Sequence, residues 1–114
     1  VQEEKKDKDI RPVREVKTYL EENYHQEISL NDLADIVSLN ASYLSALFKK
    51  ETGMTYTEYV MFCRLEKAKE LLADTGKSIA EIADAVGYHD TRHFSKLFTR
   101  NIGLKPSEYR KLYS

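Results

Sequence analysis

The residue types that enzymes and metal sites require are few in this chain of 114 residues. Cys63 is the single cysteine, which excludes a disulfide framework and a cysteine-rich zinc site and fits a reducing cytosol. His89 and His93 are four residues apart and could share one helix face, but two ligands do not make a metal site. Adjacent carboxylates such as Glu21 and Glu22 are typical of a solvated face, and no Ser/His/Asp or Cys/His spacing supports catalysis. The sequence therefore predicts no enzyme, no cofactor and no metal.

Two sets of four positions carry residue types suited to a different chemistry. If Leu44, Leu47 and Phe48 face the core, the residues at i, i+1, i+4 and i+5 of the same helix point outward. These outward positions are Ala41, Ser42, Ser45 and Ala46, and their later counterparts are Thr91, Arg92, Ser95 and Lys96. A helix exposed only to solvent usually carries Glu and Lys at such positions. Small hydroxyls with Arg and Lys instead suit close approach to base edges in the major groove of DNA.

Charge is distributed unevenly along the chain. The 18 Lys and Arg and 19 Asp and Glu give a net charge of -1, which by itself argues against a nucleic-acid partner. Residues 1–86 hold 12 basic and 17 acidic side chains, a net of -5, whereas residues 87–114 hold six basic and two acidic ones, a net of +4. The basic excess is thus confined to one end, and a solvated helical face is the simplest alternative explanation for it.

Helical periodicity and capping residues predict the elements that would carry these faces. Apolar residues recur at three- and four-residue spacing from Ile10 onward, and no segment alternates as a strand would. Ser29, Thr55 and Ser78 each precede an acidic residue by three positions, and Pro106 fits a first helical turn. Helix ends are expected at Gly53, Gly76, Gly87 and Gly103. With 41% hydrophobic and 32% charged residues, the sequence predicts a soluble, globular, all-α fold of about seven helices, without the ~18-residue apolar run of a membrane span.

An internal repeat relates the two sets of positions. Residues 29–37 match residues 78–86 at a shift of 49, and residues 44–59 match residues 94–109 at a shift of 50. The change of shift falls in the turn between two short helices, where a loop tolerates an inserted residue. Each copy is therefore helix, turn, helix, the anatomy of a helix-turn-helix. A duplicated hairpin that only builds a core is the alternative, and the outward-facing residues favour DNA binding over it.

The segment between the copies is predicted to form one long helix. About 19 residues at 1.5 Å each give roughly 28 Å, close to the ~34 Å between successive major grooves on one side of B-DNA. Such a helix could present both second helices to adjacent grooves, with a bend in the DNA covering the difference. The predicted organisation is a tail or linker remnant at residues 1–9, a first subdomain at 10–54, the central helix at 55–75 and a second subdomain at 76–114.

These motifs resemble the tandem helix-turn-helix DNA-binding domain of the AraC/XylS family over about residues 10–113. The stretches that carry the resemblance are residues 87–98 and 103–110, residues 42–53, and the Arg64-Leu65, Ala68 and Leu71-Leu72 pattern of the central helix. The resemblance implies two homeodomain-like subdomains joined by a long helix, in a bacterial transcription regulator whose recognition helices, about 41–52 and 90–101, enter successive major grooves. Residues 21–24 and 43–45 are similar to output domains of YesN-type two-component response regulators. A ligand-sensing AraC-type regulator is the alternative.

The resemblance also implies roles for individual residues. Base contacts are expected from the eight outward-facing residues. Phosphate contacts are expected from Tyr43, Lys49, Lys50, Thr55, Arg64, Ser78, Arg100, Lys105, Ser107 and Arg110. Ala46 stands where many family members carry Arg or Lys. The first recognition helix is therefore expected to make apolar contacts, including thymine methyls, while Arg92 and Lys96 supply more of the hydrogen bonds to bases.

Double-stranded DNA is the predicted partner, in a cytoplasmic, nucleoid-associated protein without a membrane contact. RNA polymerase and a second protomer, bound through an N-terminal domain outside this chain, are candidate further partners. The rival from another class is a helical protein-interaction module that docks through acidic residues 1–86. The two hypotheses differ in salt dependence, because only phosphate contacts release counterions. The near-neutral face of the first copy predicts modest intrinsic affinity for DNA.

Overall fold

The computed structural model describes residues 2–114, with side chains from Ile10 onward. These residues form seven helices and no strand: α1 (Gln2–Asn23), α2 (Leu30–Val37), α3 (Ala41–Thr52), α4 (Tyr56–Asp74), α5 (Ile79–Val86), α6 (Thr91–Ile102) and α7 (Pro106–Tyr113). The predicted all-α fold is confirmed. Among the described residues, no helix combines the length and the apolar character needed to cross a bilayer.

Helix α1 begins at Gln2, whereas apolar periodicity placed its start at Ile10. The prediction of a helix start at Ile10 is therefore wrong by two turns. Gln, Glu and Lys have high helix propensity, so a helix can continue through residues without an apolar stripe. The prediction that residues 1–9 are a tail or linker remnant stays a prediction, because the side chains of these residues lie outside the described part of the chain.

The chain packs as two compact units, Val1–Met61 and Phe62–Ser114. The boundary lies inside α4, the helix that the sequence assigns to the connection between subdomains. Unit 1 thus contains α1, α2, α3 and the first turns of α4, and unit 2 contains the rest of α4 with α5, α6 and α7.

Each unit has its own apolar core. In unit 1 the buried side chains are Val13, Val16, Leu20, Leu33, Ala34, Leu44, Leu47, Phe48 and Tyr59. In unit 2 they are Leu65, Ala68, Leu72, Ile82, Ala83, Val86, Phe94 and Phe98, and Pro106 is also buried. Burying one such large aliphatic or aromatic side chain contributes roughly 1.5–3 kcal/mol. These cores use the apolar residues that recur at helical spacing in the sequence.

The repeat seen in the sequence is reproduced in the packing. The rings of Phe48 and Tyr59 meet edge to face at 5.8 Å in unit 1, and those of Phe98 and Tyr109 meet at 5.7 Å in unit 2. Each pair joins the second helix of a helix-turn-helix to the helix that follows it, α3 to α4 and α6 to α7. In both units, therefore, an aromatic pair of the same geometry packs the second helix of the motif against the helix that follows it.

Helix starts follow the predicted capping signals. The Thr55 backbone N–H donates to Glu58 at 2.8 Å and the Glu58 N–H donates to the Thr55 hydroxyl at 3.1 Å, a complete capping box. Ser78 and Glu81 form the same reciprocal pair at 3.0 and 3.1 Å. At Ser29 the hydroxyl accepts from the Asp32 N–H at 3.1 Å. Serine and threonine at these positions thus begin α2, α4 and α5 as the spacing predicts.

The turns inside the two helix-turn-helix motifs are also built alike. Ser38 and Gly87 end α2 and α5 in the left-handed backbone region, with φ of 56° and 110°. The Leu39 N–H donates to the Ala34 carbonyl at 3.0 Å, and the Tyr88 N–H donates to the Ala83 carbonyl at 2.8 Å. Both turns therefore use the hydrogen bonds of a Schellman motif to redirect the chain into the recognition helix.

Candidate nucleic-acid interface

The orientation of α6 follows from its cap and its apolar side. Asp90 is the N-cap, and its carboxylate accepts from the His93 N–H at 3.1 Å, a hydrogen bond that lowers the pKa of Asp90. Phe94 and Phe98 are buried beneath the helix. The opposite side carries the four residues predicted to face outward: Thr91, Arg92 and Lys96 are exposed, and Ser95 is half-buried.

A groove of about 630 Å³ lies along this side of α6 in unit 2 and is called here the α6 groove. Its lining residues are Ile79, Arg92, Ser95, Lys96, Thr99, Arg100, Lys105, Pro106 and Ser107. Four of them are basic and none is acidic. The groove brings together residues predicted to contact bases (Arg92, Ser95 and Lys96) and residues predicted to contact phosphates (Arg100, Lys105 and Ser107). A concave surface lined only by positive charges concentrates polyanions such as DNA near it.

Two lining residues were not predicted from the sequence. Thr99 follows Ser95 by one helical turn on the same side of α6, and its hydroxyl donates to the Ser95 carbonyl at 2.8 Å. Extending the outward positions by one further turn would have found it. Ile79, at the first position of α5, reaches the groove through tertiary packing, which no local spacing signals.

In unit 1, α3 presents the corresponding face with fewer charges. Asn40 caps the helix by accepting from the Ser42 and Tyr43 N–H groups at 2.9 and 3.2 Å. Ser42 and Ala46 are exposed, and Ala41 and Ser45 are half-buried. The Tyr43 ring, predicted to touch a phosphate, is 51% exposed near the start of the helix. The outward positions of α3 thus carry no charged side chain, unlike those of α6.

The lysines of α3 lie in its last turn, and one of them has an acidic neighbour. Lys49 and Lys50 are both exposed. The Lys49 ammonium is 3.9 Å from the Glu58 carboxylate. Hydrogen bonds from the Thr55 backbone and hydroxyl hold the pKa of Glu58 below its usual value, with a smaller contribution from Lys49. Glu58 is therefore ionised at neutral pH and offsets part of the positive charge of this face.

Two residues predicted to contact phosphates, Arg64 and Arg110, have partners inside unit 2, and their phosphate contacts stay predictions. The Arg64 guanidinium lies 4.9 Å from the centre of the Tyr88 ring, and burial raises the pKa of Tyr88. Arg110 donates from Nε to the Leu72 carbonyl at 3.1 Å, and from Nη2 to the Thr75 and Lys77 carbonyls at 3.2 and 2.6 Å. Neither residue lines the α6 groove.

His89, His93 and Cys63 were considered as candidate metal ligands, and among the described residues their surroundings show no converging ligand set. The His93 ring meets Tyr88 edge to face at 5.8 Å, and His89 Nδ1 is 3.0 Å from an Asp84 carboxylate oxygen. Cys63 is half-buried on α4. In the part of the chain with described side chains, no three His, Cys, Asp or Glu residues converge as metal ligands would.

Comparisons with known proteins identify the family to which this chain belongs. A family model described as a helix-turn-helix domain matches residues 33–112. The melibiose operon regulatory protein of Escherichia coli K12 is 36% identical over 94 residues, which cover 82% of this chain and 31% of that protein. The chain thus spans about a third of the length of this curated relative.

Solved structures match over a larger share of their length. The C-terminal domain of AraT, a response regulator from Geobacillus stearothermophilus, is 33% identical with a TM-score of 0.84, covering 90% of this chain and 85% of that one. The C-terminal domain of the two-component response regulator yesN from Fusobacterium nucleatum is 34% identical with a TM-score of 0.79, covering 85% and 95%. The resemblance drawn from the sequence is confirmed. The chain belongs to the AraC-type helix-turn-helix family and is a DNA-binding domain of a transcriptional regulator.

Proposed function

We propose that the α6 groove is the principal DNA-contacting surface of this domain. Its lining is the observation that carries the proposal, because four cations and three hydroxyls converge there without a carboxylate. Arg92 and Lys96 would donate to base edges, for which guanine O6 and N7 are the usual acceptors, and Ser95 and Thr91 would add adaptable hydroxyls. Arg100, Lys105 and Ser107 would bind phosphates and fix the register of the helix.

Helix α3 is proposed as the second recognition helix. Ala41, Ser42, Ser45 and Ala46 would make apolar and hydroxyl contacts in a neighbouring major groove, with thymine methyls as natural targets. Phosphate contacts on this side would come from Tyr43, Lys49 and Lys50. Because Ser42 and Ala46 match Arg92 and Lys96 of the second copy, this helix is expected to add shape-dependent contacts and less electrostatic affinity.

Four residues first expected at phosphates receive other roles in this proposal. Thr55 and Ser78 act as helix caps, since their backbone N–H groups already donate to Glu58 and Glu81. Arg64 supports the turn through Tyr88, and Arg110 bonds to backbone carbonyls. Each of these groups would have to give up an internal partner before it could bind a phosphate.

For the whole protein, we propose a role as the output domain of a two-component response regulator. The support is that AraT and yesN, both described as response regulators, match over most of this chain. The melibiose relative favours a second candidate, a ligand-sensing regulator of sugar use. RNA polymerase and a second protomer are proposed as further partners of the whole protein. We also propose that the protein acts in the cytoplasm, at the nucleoid. Treating the full-length protein with acetyl phosphate or with sugars would separate the candidates by which treatment raises DNA affinity.

The DNA-binding proposal is tested by titrating the domain against duplexes of about 20 base pairs from upstream regions of its own genome and against random duplexes. We expect at least one genomic duplex to bind more tightly than random DNA. The logarithm of its binding constant should fall linearly with the logarithm of salt concentration, with a slope of about −0.9 per phosphate contact. Lys105→Ala and Arg100→Ala should each reduce that slope by about 1. If no duplex binds better than random DNA at moderate salt, the proposal is wrong and a protein-interaction module becomes the better hypothesis.

A further inference from the structure

We propose that Arg110 is a positioning residue for DNA binding, which holds together the two helix starts that form one wall of the α6 groove. The inference rests on the proposed role of that groove in DNA binding. Arg110 itself is not among the residues that line the groove. Its effect would therefore be exerted through the backbone segments that it joins.

The two sides of the groove differ in construction. One side is a single helix, α6, whose residues keep their mutual spacing through its own hydrogen bonds. The other side is composite: Ile79 comes from the start of α5, and Lys105, Pro106 and Ser107 come from the start of α7. A composite wall keeps its shape only if something fixes one segment against the other.

Arg110 supplies such a connection. From the second turn of α7 it donates to the Leu72 carbonyl in the last turn of α4, and to the Thr75 and Lys77 carbonyls in the segment that leads to α5. Carbonyls at a helix C-terminus lack intrahelical partners, so they are open to donors from elsewhere. Lys77 directly precedes Ser78, the N-cap of α5. The guanidinium thus fixes the entry to α5 relative to α7.

The shape of the side chain matters for this contact. A guanidinium is a planar fork that can serve several acceptors in fixed directions, whereas an ammonium is a compact point charge. Arg110 is half-buried, and its three acceptors all belong to one short stretch of backbone. Lysine at this position would keep the charge, but its three donors share one nitrogen, whereas Arg110 donates from two nitrogens, Nε and Nη2.

The repeat offers an internal comparison. At the shift of 50 that relates α3 to α6, Arg110 corresponds to Val60 in unit 1, and valine has no side-chain donor. The connection is therefore not a requirement of the helix-turn-helix fold as such. It occurs in the copy whose reading face carries Arg92 and Lys96 and whose groove holds four cations.

The test compares Arg110→Lys and Arg110→Ala with Lys111→Ala, which removes the same charge from the neighbouring exposed position. DNA affinity is measured as a function of salt, at a temperature where unfolding curves show each variant folded. We expect both Arg110 variants to bind about 3- to 30-fold more weakly, the range expected for an indirect coupling, with an unchanged salt slope. Lys111→Ala should stay near wild type. If Arg110→Ala does not fold, Arg110→Lys carries the test.

Amide exchange supplies a readout that distinguishes positioning from a phosphate contact. In Arg110→Lys, the amides of Thr75, Lys77 and Ser78 should exchange faster, while amides in the middle of α6 should not change. Two results would overturn the proposal: wild-type affinity in Arg110→Lys, or a salt slope reduced by about 1 in Arg110→Ala. Failure of the groove assignment would appear separately, as Lys105→Ala with unchanged affinity and slope.

Discussion

At the scale of single residues, the two copies of the repeat carry different outward side chains at equivalent helix positions. Lys96 and Ala46 occupy the same outward position of α6 and α3, and both are exposed. The aromatic pairs behind the two helices have nearly equal separations, 5.7 and 5.8 Å. The outward side chains therefore distinguish the two copies, as does Arg110, which stands where unit 1 has Val60.

Exchanging the residues at this position is predicted to shift affinity in opposite directions. Lys96→Ala should weaken binding to the preferred duplex by about 1–3 kcal/mol and relax the preference for one base pair. Ala46→Lys should raise affinity for most duplexes and steepen the salt slope by about 0.9, because it adds one cation to a face with few. Titrations against a panel of single-base variants would measure both effects.

Lys111→Ala serves as the charge-matched control for this pair, since Lys111 is exposed and does not line the α6 groove. An equal loss of affinity on every sequence in Lys96→Ala would contradict base contact and make Lys96 a phosphate ligand.

At the scale of elements, the turns that precede α3 and α6 require an uncommon backbone conformation. Both pass through a left-handed residue, which is glycine in unit 2 and serine in unit 1. A residue with a β-carbon pays roughly 1–2 kcal/mol in this region, whereas glycine adopts it readily. The hydrogen bonds from Leu39 and Tyr88 show that both turns are nevertheless complete.

Substitutions at this position are predicted to change stability in opposite directions in the two units. Ser38→Gly should raise the free energy of unfolding by about 0.5–1 kcal/mol, because the relief of left-handed strain at Ser38 outweighs the stability lost to the backbone freedom that glycine adds to the unfolded chain. Gly87→Ala should lower it by about 1–2 kcal/mol. Urea unfolding with an unchanged m-value would measure both. A destabilising effect of Ser38→Gly would contradict the prediction and indicate a stabilising contact of the serine side chain.

At the scale of the whole molecule, α4 is the element that both units share. Its 19 residues correspond to roughly 28 Å of helix, and the proposal of two recognition helices in successive major grooves depends on that length. We predict that this helix tolerates a changed spacing of the two DNA half-sites less well than a flexible linker would.

DNA with altered spacing is therefore predicted to bind poorly. Inserting about 5 base pairs, half a helical turn, between the two halves of the preferred site would move one half to the opposite side of the duplex. Affinity should fall toward that of a duplex with only the half recognised by α6, as measured by competition. Unchanged affinity after the insertion would mean that one recognition helix binds alone.

Local signals in the sequence determined most of the elements and much of the candidate site. Helix α6 was predicted at about 90–101 and lies at Thr91–Ile102, because Asp90 caps its start and Gly103 ends it in a left-handed conformation. Arg92, Ser95 and Lys96 were assigned from the spacing of one helix face, which depends only on 3.6 residues per turn. The start of α1 was missed because residues before Ile10 carry helix propensity without apolar periodicity.

Tertiary structure alone decided which basic residues line the α6 groove. Lys105 and Arg110 are five residues apart and were given the same role from the sequence. Packing of α7 places Lys105 in the α6 groove and directs Arg110 to carbonyls 33 to 38 residues earlier in the chain. Periodicity reports which side of a helix a residue occupies, but not what lies opposite that side. The partner of a long cation is therefore set by the packing of distant segments.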